Sequence, residues 1–266
     1  MQKTTKTLVA LAVPCALATN LFAGLTTTLN LPPSSSNSNY RDPNSVGGEF
    51  TAVVAGGANY VANYNSVATA SGKNASGQTV TGFETFCVEM TAEFQPGSTY
   101  NTTVSGSIIQ GPSQSMSIAL GTAYLYSLFA QGALTGYSYS TSGTGREISA
   151  DELQDAIWYF QGEIGANGNS LTSDSLYTFN ASTDPFVQLA DTKLGGNTKA
   201  MGSDAGDTFG VLALNLTSTG QNGQTVYDQD QLVYCPVPEP ATFAAGAMLL
   251  LPLGLSAVRS LRKKKE

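Results

Sequence analysis

The chain has 266 residues, a net charge of −7 and no histidine, which removes Ser-His-Asp and Cys-His triads and every His-containing zinc site. Seven of the 12 basic residues lie in the two ends with one of the 19 acidic ones, leaving residues 19–240 at a net of −13. A body that acidic repels phosphate backbones, so no nucleic-acid partner is expected.

Residues 1–18 read as a secretory signal peptide. Lys3 and Lys6 form its charged start, an apolar core follows, and Ala16-Leu17-Ala18 fits an A-x-A cleavage site, with an alternative end at 23. Residues 30–45, with Pro32-Pro33-Ser34-Ser35-Ser36, read as a flexible lead-in. The remainder, 46–235, is rich in Gly, Ser, Thr and Asn, as suits one exported, turn-rich β domain. The expected class is α+β: a β-rich, sandwich- or barrel-like domain with a helical insert.

Gly47-Gly48 and Gly56-Gly57 punctuate two expected strands, 49–55 and 60–67, and 71–78 reads as a loop. Rough alternation over 79–93 predicts a strand with Cys87 in its middle and Glu84 as a misfit. Residues 100–109 read as the next strand. Helical spacing of Ile118, Thr122, Leu125 and Phe129 predicts a helix over 115–131, stopped by Gly132. A loop over 141–148 then leads to Ser149-Ala150-Asp151-Glu152, read as a capping box with Ser149 as N-cap. That helix runs to about Gly162 with Leu153, Ala156, Ile157 and Phe160 as its apolar stripe, and it places Gln154 near a helix N-terminus. A short helix over 185–194 and strands over 207–217 and 224–234 complete the domain.

Cys87 has two available partners in an oxidising compartment. Cys235 offers a disulfide, and a side-chain amide offers a thioester. A carboxamide at a helix start would have free N–H groups to stabilise the oxyanion that thiol attack creates. Phe86-Cys87-Val88 followed by Gln154-Asp155-Ala156-Ile157-Trp158 resembles the paired motifs of the thioester domains of bacterial surface adhesins. The resemblance implies an internal thioester with Cys87 as thiol donor, Gln154 as acyl donor and Trp158 as a shield against water. It further implies covalent attachment to a surface nucleophile, an amine or a polysaccharide-associated group.

The tail, 237–266, begins Val237-Pro238-Glu239-Pro240, continues through an apolar run over 241–258 and ends in Arg259 to Lys265. With its flanks the run is long enough for a transmembrane helix, and its basic end should stay cytoplasmic. The pattern resembles the PEP-CTERM sorting signal, in which an exosortase-type membrane protease acts on the motif Pro238, Glu239, Pro240 and removes the helix. That resemblance implies a Gram-negative-type envelope, a transient stay in the inner membrane, and a surface or exopolysaccharide-matrix destination. No cofactor is expected. Asp204 with Asp207 and Asp228 with Asp230 match no full calcium loop and read as solvated turn acids, so no metal is assigned. The rival reading is a non-reactive β-rich matrix protein stapled by Cys87–Cys235. An enzyme would need carboxylate pairs such as Glu84/Glu89 or Glu147/Glu152, and none has a supporting pattern.

Overall fold

The strand Val211–Thr219 (β8) shows how the domain is layered. Its first six residues are all buried, yet they do not share one core. Val211 and Ala213 point into a cluster shared with the helices, whereas Leu212, Leu214 and Leu216 point into a second cluster built from strand side chains. A strand buried on both faces reads as a continuous apolar run instead of an alternating one. Val211-Leu212-Ala213-Leu214 is such a run.

The structure, a computed structural model, describes residues 25–30, 47–55, 69–73, 78–140, 144–169, 177–205 and 208–235. The expected signal peptide, the lead-in apart from Asn30, the 60–67 strand, the Pro238-Glu239-Pro240 motif and the 241–258 helix lie outside them. Among the described residues, no helix is long and apolar enough to cross a membrane.

The described domain is a β-rich antiparallel sheet with a few helices. Besides β8, its strands are β1 (Leu25–Asn30), β2 (Phe50–Ala55), β3 (Thr69–Lys73), β4 (Thr79–Thr85), β5 (Thr99–Ser105), β9 (Thr225–Tyr227) and β10 (Gln231–Tyr234). The order is β10-β8-β5-β1-β2-β4-β3, with β9 paired to β8. A separate hairpin joins β6 (Ser107–Gly111) to β7 (Gln114–Ser117). Among the described residues, four helices lie between β7 and β8: α1 (Leu120–Ala130), α2 (Gly145–Gln161), α3 (Pro185–Leu194) and α4 (Asn197–Ala200).

Two features join β10, one end of the strand path, to β4, the strand next to the other end. Beyond β4, Cys87 forms a bridge with Gln231 of β10. On either side of it, Leu232 N–H donates to Phe86 O at 3.2 Å and Val88 N–H to Asp230 O at 3.1 Å. The Tyr126 hydroxyl of α1 then sits 3.0 Å from both Glu84 O and Leu232 O, tying the two strand ends to a buried helix.

Several expectations change at this level. Cys87 is not mid-strand: β4 ends at Thr85, where its ladder with β2 and β3 stops, and beyond it Cys87 keeps an isolated bridge to Gln231. Residues 71–73, expected in a loop, belong to β3 and pair with β4. Residues 114–117 form β7, so α1 starts at Leu120, five residues later than helical spacing suggests. The run over 224–234 divides into β9 and β10. The helix over 185–194 falls where expected, with Asp184 accepting from Phe186 and Val187 N–H at its start and Pro185 in its first turn.

Candidate functional site

The largest correction concerns α2. Its N-cap is Thr144, not Ser149, and Gln154 is the tenth of its 17 residues. The capping-box reading fails because Ser149 Oγ is engaged elsewhere, donating to Gly145 O at 2.8 Å and accepting from Ser138 N–H at 3.1 Å. The helix therefore starts a full turn earlier, and its N–H groups in the Gln154 region are used within the helix. Gly162 closes it as expected, in the left-handed conformation.

The Gln154 carboxamide nonetheless receives backbone N–H groups, from the turn before β2 and the segment after β4. Its Oε1 accepts from Cys87 N–H at 3.1 Å and from Gly48 N–H at 3.1 Å. Its Nε2 donates to Cys87 O at 2.7 Å. The amide thus pairs with both main-chain groups of Cys87, bringing the two expected thioester residues together across 67 positions of sequence. Two donors converging on one carbonyl oxygen are an arrangement able to stabilise negative charge developing there. The residues are 0 % and 1 % exposed respectively.

Gly47 and Gly48 aim the second donor. Their φ angles, +87° and +99°, lie where only glycine is unstrained. Gly47 also has no room for a side chain. A methyl group there would sit 2.5 Å from Trp158 Cη2 and 2.8 Å from Gln154 Cγ. Trp158, expected as a shield, is 1 % exposed and packs over Gly47 beside the Gln154 side chain. Its indole N–H has no hydrogen-bond acceptor, so apolar packing alone holds the ring here.

The next residue, Glu49, anchors this turn from the other side. It is fully buried and forms a two-point ion pair with Arg146 of α2, through Nη2 and through Nε at 2.9 Å. Tyr137 donates to the same carboxylate at 2.8 Å. Glu84, the misfit of the strand pattern, belongs to this group. It accepts from Thr51 Oγ1 at 2.6 Å, and burial, then the charge of Glu49, push its carboxyl well above the usual range. Of the carboxylate pairs considered, Glu84 therefore meets Glu49, not Glu89. Glu89 instead accepts from Asp230 N–H at 2.9 Å.

Gln231 was read only as a strand residue. Opposite Cys87 in the bridge, it is 0 % exposed, and its Nε2 donates to Cys87 Sγ at 3.4 Å and to Gln229 O at 3.3 Å. Nothing in an apolar strand pattern singles it out. Gly48 was equally hidden, since it acts through its main chain.

Two further expectations fail. Cys235 lies four residues beyond Gln231, the partner of Cys87, which at about 3.3 Å per residue is roughly 13 Å along the strand. A disulfide needs Cα atoms within about 7 Å, so a Cys87–Cys235 staple does not fit this register. Cys235 packs instead against the strand-built cluster. The acidic residues are not all solvated. Asp230 is buried, accepting from Leu216 and Ile109 N–H at 2.8 and 2.9 Å, and Asp204 accepts from Thr208 N–H at 2.9 Å. Burial, then the nearby Glu89, raise the Asp230 carboxyl to about 8. Among the described residues, no group of three or more His, Cys, Asp or Glu side chains is placed to hold a metal. Phe129 contacts Tyr126, Tyr137 and Tyr139 with ring centroids 4.9–5.9 Å apart.

Compared with known proteins, the chain matches no family model, no curated protein and no solved structure.

Proposed function

We propose that this is an exported surface or matrix protein, sorted by a PEP-CTERM signal, whose barrel-like domain carries an internal Cys87–Gln154 thioester for covalent attachment to a target nucleophile. The observation that carries the reading is the docking of the Gln154 carboxamide on the Cys87 main chain, with its oxygen between two N–H donors.

The chemistry follows from that arrangement. The Cys87 sulfur adds to the Gln154 carbonyl carbon, and the negative charge that develops on Oε1 falls between Cys87 N–H and Gly48 N–H. The C–N bond breaks, and the thiol proton leaves with the amide nitrogen as ammonia. An amine on the target surface later attacks the same carbon. The C–S bond breaks, an amide forms, and the sulfur takes up the released proton. Trp158 covers the site against water. In the tail, an exosortase-type protease acting at Pro238-Glu239-Pro240 would release the protein from the inner membrane to the surface or matrix of a Gram-negative-type cell.

Intact-mass spectrometry tests the bond. The expected chain is lighter by one ammonia, gains one methylamine on treatment, and shows neither behaviour as Cys87→Ala or Gln154→Ala. A chain of unaltered mass that ignores methylamine would overturn the reading and leave a non-reactive matrix protein.

A further inference from the structure

Gln231 is a second buried glutamine against Cys87: it meets the sulfur, whereas Gln154 meets the Cys87 main chain. It approaches Cys87 from the opposite element, β10, while Gln154 approaches from α2. The two amides are not equivalent. Gln154 Oε1 has two N–H donors, whereas Gln231 Oε1 is buried with no hydrogen-bond partner. An acyl donor needs its oxygen stabilised, so Gln231 is poorly set up for attack by the thiol. Its nitrogen, however, is fixed. One hydrogen goes to Gln229 O and the other to Cys87 Sγ, which sets the orientation of the whole amide.

We infer that Gln231 is a catalytic residue of the thioester, holding the Cys87 sulfur through Nε2 as the C–S bond forms and breaks. The inference rests on the thioester reading. When the amine attacks, the electron pair of the C–S bond moves onto sulfur, and an N–H donor stabilises the departing thiolate more than the intact thioester. A hydrogen bond that strengthens only as charge develops accelerates the step. The unpartnered Oε1 fits the same role. Most buried side-chain polar atoms in folded proteins are hydrogen-bonded, so a bare buried carbonyl oxygen on the amide that holds the sulfur is an open acceptor. Covalently fixed next to Nε2, that oxygen is available to accept an N–H from the attacking amine, orienting the nucleophile's lone pair away from it. No motif marked this position, because its relation to Cys87 exists only once the strand path joins at the bridge.

The test measures two quantities on the full domain of Gln231→Met, which keeps the side-chain length without the donor or the carbonyl. The first is the fraction lighter by one ammonia. The second is the methylamine opening rate, followed by mass between pH 6 and 9. The expected variant still forms the bond but opens about ten-fold or more slowly at every pH, because the fraction of unprotonated methylamine that sets the pH trend is common to the two chains. Opening at the wild-type rate across the range overturns the assignment. If Gln231→Met does not fold, 15N spectra of the wild-type chain decide. The Gln231 side-chain amide resonances must move when methylamine opens the bond, and unmoved resonances overturn the role. A wild-type chain that never loses ammonia would sink the thioester itself, an outcome distinct from either result for Gln231.

Discussion

Replacing Gly47 with alanine should damage the candidate site more than any other single added methyl group. The new Cβ would lie 2.5 Å from Trp158 Cη2, 2.8 Å from Trp158 Cζ2 and 2.8 Å from Gln154 Cγ, all inside the closest approach of real carbon atoms. Trp158 and Gln154 are both buried and on one helix, so neither swings into solvent to make room. The backbone adds a second cost, since φ at Gly47 is +87°. Left-handed backbone costs an L residue about 1–2 kcal/mol, and overpacking of a filled core costs about 1–3 kcal/mol. Together these predict a loss of roughly 2–5 kcal/mol. Relief by shifting Gln154 would pull its Oε1 away from Gly48 and Cys87 N–H, so bond formation should fall as well. Urea unfolding monitored by tryptophan fluorescence gives the first quantity and intact mass the second. Trp158 is the chain's one tryptophan, so the optical probe reports from the site itself. A Gly47→Ala chain within 0.5 kcal/mol of wild type, with its full ammonia loss retained, would refute the packing argument.

Two other outcomes follow. Arg146→Met leaves the Glu49 carboxylate buried with its guanidinium gone, and breaking a buried pair costs about 3–5 kcal/mol; because Glu49 anchors the turn that presents Gly48 N–H, the folded fraction should also form less thioester, measured by urea melts and intact mass together. Stability should fall as pH rises from about 4 to 8. Asp184 and Asp230 have folded values raised to about 6 and about 8, chiefly by burial. The unfolded chain releases those protons first, so the stabilisation is complete below the unfolded carboxylate range and is lost through pH 6 to 8. Urea midpoints that rise across that interval would contradict the assignment.

Much of the architecture was legible locally, and the exceptions have physical causes. α3 could be read because Asp184, Pro185 and the terminal Gly195 are local signals that need no tertiary context. The start of α2 could not, because Ser149 resembles a cap in sequence while its hydroxyl is taken by Gly145 and Ser138. The pairing of Cys87 with Gln154 is suggested by the two motifs, but the donors expected for the Gln154 oxygen, those of a helix N-terminus, are not the ones it has. The donors on Gln154 are main-chain groups of Gly48 and Cys87, and no side chain announces them. Glu84 looked misplaced because a strand pattern records faces and not the neighbours waiting there, namely Thr51, Glu49 and Arg146. Gln231 was hidden for the same reason, since its neighbour is 144 residues away.

The burial of the site has a consequence for timing. Cys87, Gln154 and Trp158 are 0 %, 1 % and 1 % exposed, so an amine, dissolved or surface-held, meets the Gln154 carbonyl carbon only when the surrounding wall parts. For the proposed bond, the chance of reaction per second is then the frequency with which the wall around Gly47 and Trp158 parts, multiplied by the chance of capture before it shuts. A dilute amine in transit is captured in few of those openings, whereas concentrated methylamine, or a surface that holds its amines against the domain, is present at every one. The domain would behave as a latch that discriminates by dwell time: brief encounters leave it charged, and prolonged contact discharges it.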